Sequence, residues 1–284
     1  MRKILIPTDF SKNAMNAIQY GIDLFKYEIS EFYFMHAYQD DIYADEVSLT
    51  RETLENAKTK AIKRSIEQLQ STLDTITEIS PNPRHIYNIV SSNSLLLDEA
   101  DKIVDEENID IIVMGTHGNT NDRNITFGSH TLQILKYVQC PVLAIPENHK
   151  YTQPKHILFP TNYMIPYKRR ELKLLCEIAS PYRAAIDMLY ISKTEKLSMR
   201  QEDNQNFVKE TLCKGEINFK VVNSKDIINS IYKYIEDNSI DMLVMVNTRH
   251  SFLENIIFQS TIDELSLNLN IPFLALQNIK RDEL

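Results

Sequence analysis

The chain reads as an α/β protein of two tandem units, each an open, five-stranded, mainly parallel sheet with helices on both faces. Three observations predict this. Short β-branched runs alternate with helical patterns of ten to twenty residues, as in parallel strands joined by crossover helices. The length of 284 residues suits two domains of ordinary size. The two halves also repeat one another. Ile109 to Met114 (IDIIVM) matches Ile240 to Met245 (IDMLVM), and Cys140 to Ile145 (CPVLAI) matches Ile271 to Leu276 (IPFLAL), both at an offset of 131. Lys3 to Phe10 (KILIPTDF) matches His156 to Tyr163 (HILFPTNY) at an offset of 153, so the second unit is about twenty residues shorter in its interior.

In the first unit, strands are expected near residues 2–7, 31–37, 84–90, 109–114 and 141–145. The longest helix is expected across roughly 48–72, with Leu54, Ala57, Ala61, Ile62, Ile66 and Leu69 facing the core at helical spacing. Asp98, Glu99, Asp101, Asp105, Glu106 and Glu107 suit the exposed face of the helix before strand four, with Leu97, Ala100, Ile103 and Val104 inward. Ser129 to Val138 reads as a helix that starts at a Ser N-cap. In the second unit, strands are expected near 155–160, 184–191, 216–222, 240–246 and 271–276. A linker over 148–154, ending in Pro154, separates a first domain, 1–147, from a second, 155–284.

Lys and Arg total 31 against 39 Asp and Glu, a net charge of −8, which disfavours nucleic acid and anionic lipid as partners. The excess lies in residues 1–150, with 14 basic and 22 acidic side chains. Cys140, Cys176 and Cys213 are odd in number and far apart, which fits reduced thiols in a cytoplasmic protein and no disulfide framework. No Cys/His metal spacing and no 18-residue apolar span occurs, so neither a metal site nor a membrane segment is expected. The final Lys280 to Leu284 (KRDEL) looks like a retrieval signal, but MRKILIPTDFS is too short an apolar start for a signal peptide, so coincidence is the expectation.

Three of the five glycines, Gly115, Gly118 and Gly128, fall within fourteen residues. They follow the apolar strand ending at Met114 and precede a helix. Strand, glycine loop and helix N-terminus make a phosphate cradle: glycine permits positive φ and close backbone approach, and the first-turn N–H groups and helix dipole favour negative charge. In an open sheet, ligands bind beyond the carboxyl ends of the strands where the strand order switches. The first strand's Pro7, Thr8, Asp9, Phe10 and Ser11 and the fourth strand's glycine loop should converge there. Asp9 either caps the following helix or touches the ligand, with ligand contact the expectation. His117 lies between the first two glycines and is expected to be solvated or near phosphate, not a catalytic base. No GxxxxGK[ST] or GxSxG motif appears, so the crevice reads as a binding site, with any turnover incidental.

The spacing Gly115-x2-Gly118-x9-Gly128-Ser129 after a hydrophobic strand resembles the nucleotide loop of the universal stress protein family. Pro7-Thr8-Asp9-x-Ser11 and Met35-His36-Ala37 resemble that family too, and two tandem copies cover nearly the whole chain. The resemblance implies an adenine nucleotide alpha hydrolase-like fold and a stress-response role as nucleotide sensor or regulator. It implies that Pro7, Thr8, Asp9 and the backbone at Ala37 hold adenine and ribose. Met114, Gly115, His117, Gly118, Arg123, Gly128, Ser129 and His130 would surround the phosphates of ATP, ADP or AMP, with Mg²⁺ an accompaniment. The family also pairs through fifth strands, which implies an internal pseudo-dimer through Pro141 to Ile145 and Pro272 to Leu276, and a further homodimer. Asn119 stands where the family often has a basic residue, and His130 where it often has a small or β-branched one.

In the second copy Val246, Arg249 and Gln259 stand at the glycine positions, Asn162 at that of Asp9, and only Ser260 matches Ser129. That copy is expected to be a structural or partner-binding unit without nucleotide. A weak ATPase or phosphotransferase, a cyclic AMP binder, and a scaffold without nucleotide in either half stay open as alternatives.

Overall fold

The computed structural model describes residues 1–44, 51–117, 127–193, 196–212, 215–247 and 269–278. The chain divides into two compact units, Met1–Tyr151 and Thr152–Leu284. The first contains β1 (Arg2–Pro7), α1 (Lys12–Leu24), β2 (Ser30–Ala37), α2 (Gln39–Ala44), α3 (Arg51–Ile79), β3 (His85–Ser92), α4 (Leu96–Glu106), β4 (Ile111–Gly115), α5 (Ser129–Tyr137) and β5 (Val142–Ile145). Its strands lie in the order β3-β2-β1-β4-β5, all pairs parallel. Ile4, Leu5, Ile6, Ile111, Ile112 and Val113 have no exposed surface, as strands covered on both faces require.

The second unit contains β6 (His156–Thr161), α6 (Arg169–Ala179), a 3-10 turn (Ser180–Tyr182), β7 (Ala185–Ser192), α7 (Met199–Thr211), β8 (Ile217–Asn223), α8 (Ile227–Asp237), β9 (Met242–Asn247) and β10 (Phe273–Gln277). Its order, β8-β7-β6-β9-β10, is again parallel throughout and repeats the first unit's. The shortening falls between the second and third strands, where α3 has 29 residues and α7 has 13.

The repeated Ile-Asp pair has a shared structural job. The Asp110 N–H donates to the Lys3 carbonyl and its Oδ2 accepts from the Lys3 N–H, both at 2.9 Å. Asp241 makes the same two contacts with His156, also at 2.9 Å each. Each aspartate thereby staples the start of a unit's first strand to the start of its fourth. For this reason β4 begins at Ile111, two residues later than expected.

Three expectations need correction. The longest helix runs to Ile79, seven residues beyond 72: Ile76 continues the buried face of Leu69 and Thr72 at helical spacing, the hydroxyls of Thr72, Thr75 and Thr77 turn back to carbonyls four residues earlier, and Pro81 then stops the pattern. Its inward face is Ser65, Leu69, Thr72 and Ile76; Ile62 and Ile66 are 41% and 46% exposed. Glu99 is buried, its Oε2 accepting from the Ser92 hydroxyl at 2.7 Å and its Oε1 from Lys102 Nζ at 3.3 Å. The stretch after β5 is packed: Asn16 Nδ2 donates to the carbonyls of Pro146 and His149, and the rings of Tyr20 and Tyr151 meet edge-on at 5.3 Å.

Candidate functional site

The strand order switches between β1 and β4. Their ladder registers Ile4 with Ile111 and Leu5 with Ile112 and goes no further, so the carboxyl ends of the two strands flank an opening. Pro7 lies past that ladder, where its missing N–H leaves no bond unmade.

One side of the opening is a tight turn after β1. The Thr8 N–H donates to the Met35 carbonyl at 2.8 Å, which ties the turn to β2. Thr8 Oγ1 accepts from the Phe10 N–H, and Asp9 Oδ1 accepts from the Ser11 N–H, both at 3.0 Å. Ser11 Oγ then accepts from the Ala14 N–H at 3.1 Å, so Ser11 and not Asp9 caps α1. Phe10 is forced into the left-handed region at φ 61°. Its ring packs on that of His36, with centroids 4.6 Å apart. His36 Nδ1 bonds Ser65 Oγ at 3.0 Å, and Ser91 Oγ donates to the same oxygen at 2.7 Å, which fastens α3 to the ends of β2 and β3. Ala37 ends β2 in register with Ser92.

The other side is the end of β4 and the start of α5. Met114 is buried and Gly115 ends the strand. Three consecutive carbonyls are engaged there. The Gly115 carbonyl accepts from Thr131 Oγ1 at 3.0 Å, that of Thr116 from the Gly128 N–H at 2.8 Å, and that of His117 from Asn13 Nδ2 at 2.6 Å. The two described ends of the glycine loop are therefore pinned together.

Two local expectations are corrected. The N-cap of α5 is Gly128, with φ −62° and ψ 162°, and Ser129 is the first helical residue. No glycine among the described residues has positive φ. Gly115 is required instead by crowding: a Cβ there would stand 2.6 Å from Asn13 Nδ2. Among the described residues no side chain caps α5, and its first turn holds no acidic residue. By contrast α1 and α8 are capped by Ser11 and Asp226. The first-turn N–H groups and the positive dipole end of a helix are the features that favour an anion. On the rim, His130 Nε2 stands 3.7 Å from Asp40 Oδ2, both side chains more than half exposed. Among the described residues, no group of three or more His, Cys, Asp or Glu is placed to hold a metal ion.

The structure thus gathers Pro7, Thr8, Asp9 and Ala37 on one side of the opening, and Met114, Gly115, His117, Gly128, Ser129 and His130 on the other. Gly118, Arg123 and Asn119 lie outside the described residues, as do Arg249, His250, Gln259, Ser260, Cys213 and the final KRDEL. Sequence reasoning missed Asn13, His36 as a polar tie, and Ser65. The signal for Asn13 was a polar residue beside Ala14, Ala17 and Ile18 on the buried face of α1.

The second unit repeats the turn and covers it from α7. Thr161 Oγ1 accepts from the Tyr163 N–H and Asn162 Oδ1 from the Met164 N–H, both at 2.9 Å, and Tyr163 has φ 53°. The Asn162 carbonyl accepts from Gln201 Nε2 at 2.8 Å and the Tyr163 carbonyl from Asn204 Nδ2 at 2.7 Å. These amides project from α7, and Tyr163 is 1% exposed where Phe10 is half-buried. Nearby, Thr161 Oγ1 hydrogen-bonds the Tyr167 hydroxyl. Glu171 is 3% exposed, and burial pushes its carboxyl up to about 7. Val246, at the position of Gly115, is buried.

These features define a tandem open-sheet α/β protein whose first unit carries an anion-suited crevice. Residues 1–146 match the model of the universal stress protein family, and the chain belongs to that family. It is 28% identical over 159 residues to one universal stress protein of Methanocaldococcus jannaschii, covering 51% of this chain and 94% of the relative. A second from the same organism is 25% identical over 149 residues, covering 52% and 84%. A universal stress protein structure from Archaeoglobus fulgidus shares the fold with a TM-score of 0.68 at 13% identity, covering 98% of each chain. No described helix is long and apolar enough to cross a membrane.

Proposed function

We propose that the first unit binds ATP or a related adenine nucleotide in the β1–β4 crevice and serves a cytoplasmic stress response as a sensor or regulator. The observation that carries this is the first turn of α5, which no described side chain caps, beside a loop whose ends are pinned by the Gly128–Thr116 and Thr131–Gly115 bonds. Ser129 and His130 lie in that turn and would meet phosphate, as would Gly118 and Arg123 of the loop. Pro7, Thr8, Asp9 and Ala37 would line the base and ribose, and Mg²⁺ would arrive with the triphosphate. The second unit is a structural or partner-binding copy. The side-chain amides of Gln201 and Asn204 already occupy the turn carbonyls at its switch point, which supports that division. Pairing of the fifth strands, β5 and β10, as an internal pseudo-dimer belongs to the same proposal.

Isothermal titration of ATP with Mg²⁺ into the nucleotide-stripped full chain tests it. One site per chain, lost in Gly118→Arg, is the expected result. Absence of heat in the wild type, with mass spectrometry showing no carried-over nucleotide, overturns it in favour of a scaffold.

A further inference from the structure

We propose that the outer face of α3 in the first unit docks a second copy of this chain, the two helices lying antiparallel about a twofold axis. Helix α3 buries Ser65, Leu69, Thr72 and Ile76 on its inward side. Beside that face runs a second apolar stripe. Ile62 and Ile66, one turn apart, are 41% and 46% exposed, and Leu73, two turns further on, is half-buried. The second unit spans the same step between strands with the 13 residues of α7, so the 29 of α3 exceed what that step requires.

Charge selects the partner. Lys58, Lys60, Lys63 and Arg64 precede Ser65 with no acidic residue among them, and Glu67, Asp74 and Glu78 follow it with no basic one. That order is wrong for an isolated helix. Its dipole prefers cations near the carboxyl end, yet the last turn of α3 holds Glu78 and no basic residue. The ion pair inside this stretch, Lys63 Nζ to Glu67 Oε1 at 3.8 Å, runs in the poorer direction, lysine before glutamate, with both side chains well exposed. An antiparallel copy turns the pattern into complementarity, since the cationic half of each helix then runs along the anionic half of the other. A uniformly acidic or basic partner would satisfy one half and repel the other. With the axis close to Gln68, the stripe of Ile62, Ile66 and Leu73 meets its own copy, and Lys63 on its flank comes alongside the partner's Asp74. The contact runs along about 30 Å of helix and falls at the small end of specific interfaces, under roughly 1,200 Å², so the dimer is reversible and weakened by salt. It lies on α3, apart from the fifth strands β5 and β10.

Sedimentation velocity of the full chain, from about 1 to about 300 µM, tests this. The wild type should pass from monomer to dimer within that range, and salt at about 0.5 M should weaken the dimer. Ile62→Asp, Lys63→Glu and Asp74→Lys all change exposed side chains. Each should weaken dimerisation by about tenfold or more while leaving the circular dichroism spectrum unchanged. An equimolar mixture of the Lys63→Glu and Asp74→Lys chains should recover wild-type affinity, because both flanking pairs are then again of opposite charge. A role for these charges within α3 alone predicts no such recovery. A wild type that stays monomeric throughout, a dimer that any of the three substitutions leaves at wild-type affinity, or losses that mixing does not repair would each overturn the proposal.

Discussion

Phe10 and Tyr163 adopt the same left-handed backbone conformation, with φ of 61° and 53°, one at the carboxyl end of each unit's first strand. Each N–H donates to a threonine hydroxyl two residues back, Thr8 or Thr161. Each ring packs on a ring near the end of the adjacent strand, His36 at 4.6 Å or Tyr190 at 5.8 Å. A bulky residue at positive φ is strained by roughly 1–2 kcal/mol, so the surrounding bonds must hold it there.

The threonine hydroxyl is the removable part. Thr8→Val and Thr161→Val keep the side-chain volume but leave the Phe10 or Tyr163 N–H without its acceptor. Each should destabilise its unit by about 1–2 kcal/mol, read as a lower urea midpoint. A midpoint equal to wild type in both would mean that ring packing alone holds the turn.

Ser65 is the hub between α3 and the sheet. Ser65→Ala leaves His36 Nδ1 and the Ser91 hydroxyl without this shared partner in a buried place. Loss of about 1–3 kcal/mol is expected, with faster amide exchange in α3 than elsewhere in the first unit. Uniform exchange across the unit would count against a local latch.

Gln201 and Asn204 cover the second unit's turn. The double variant Gln201→Ala and Asn204→Ala should lower the Tm by several degrees, since two turn carbonyls lose their donors. ATP stoichiometry should stay at one per chain, because the glycine positions remain filled. A second site appearing in calorimetry would show that α7 alone had kept the nucleotide out.

Glu171 gives the second unit a pH dependence. Its folded carboxyl is pushed up to about 7 by burial, above the ordinary value of 4.5. Folding therefore favours the protonated form. Its contribution is fully present below about pH 4.5 and is lost as pH rises through about 7, with an upper bound of about 3 kcal/mol. Glu171→Gln should flatten this trend and raise the Tm relative to wild type more at pH 8 than at pH 5. A gain independent of pH would exclude the carboxyl as its source.

Much of the fold was legible because buried parallel strands write themselves as apolar runs. Ile109 to Met114 and Ile240 to Met245 located the fourth strands to within two residues, and their shared spacing exposed the duplication. What stayed hidden depended on single polar contacts. The orientation of α3 follows Ser65, a residue whose inward place is set by His36 and Ser91 from distant strands. The need for glycine at 115 looked conformational, yet it comes from the amide of Asn13, far away in sequence. Cover of the second unit's turn by α7 could not be read at all, since Gln201 and Asn204 sit on a helix with little amphipathic pattern.

The aspartate staples, Asp110 to Lys3 and Asp241 to His156, lie at the amino edge of each sheet, opposite the crevice. The staple and the candidate crevice therefore lie at opposite ends of the same strands. After duplication, one copy could exchange its glycines for Val246 and Arg249 and still keep its staple. A paralogue of this architecture can change its ligand, or abandon it, without first having to reinvent a fold.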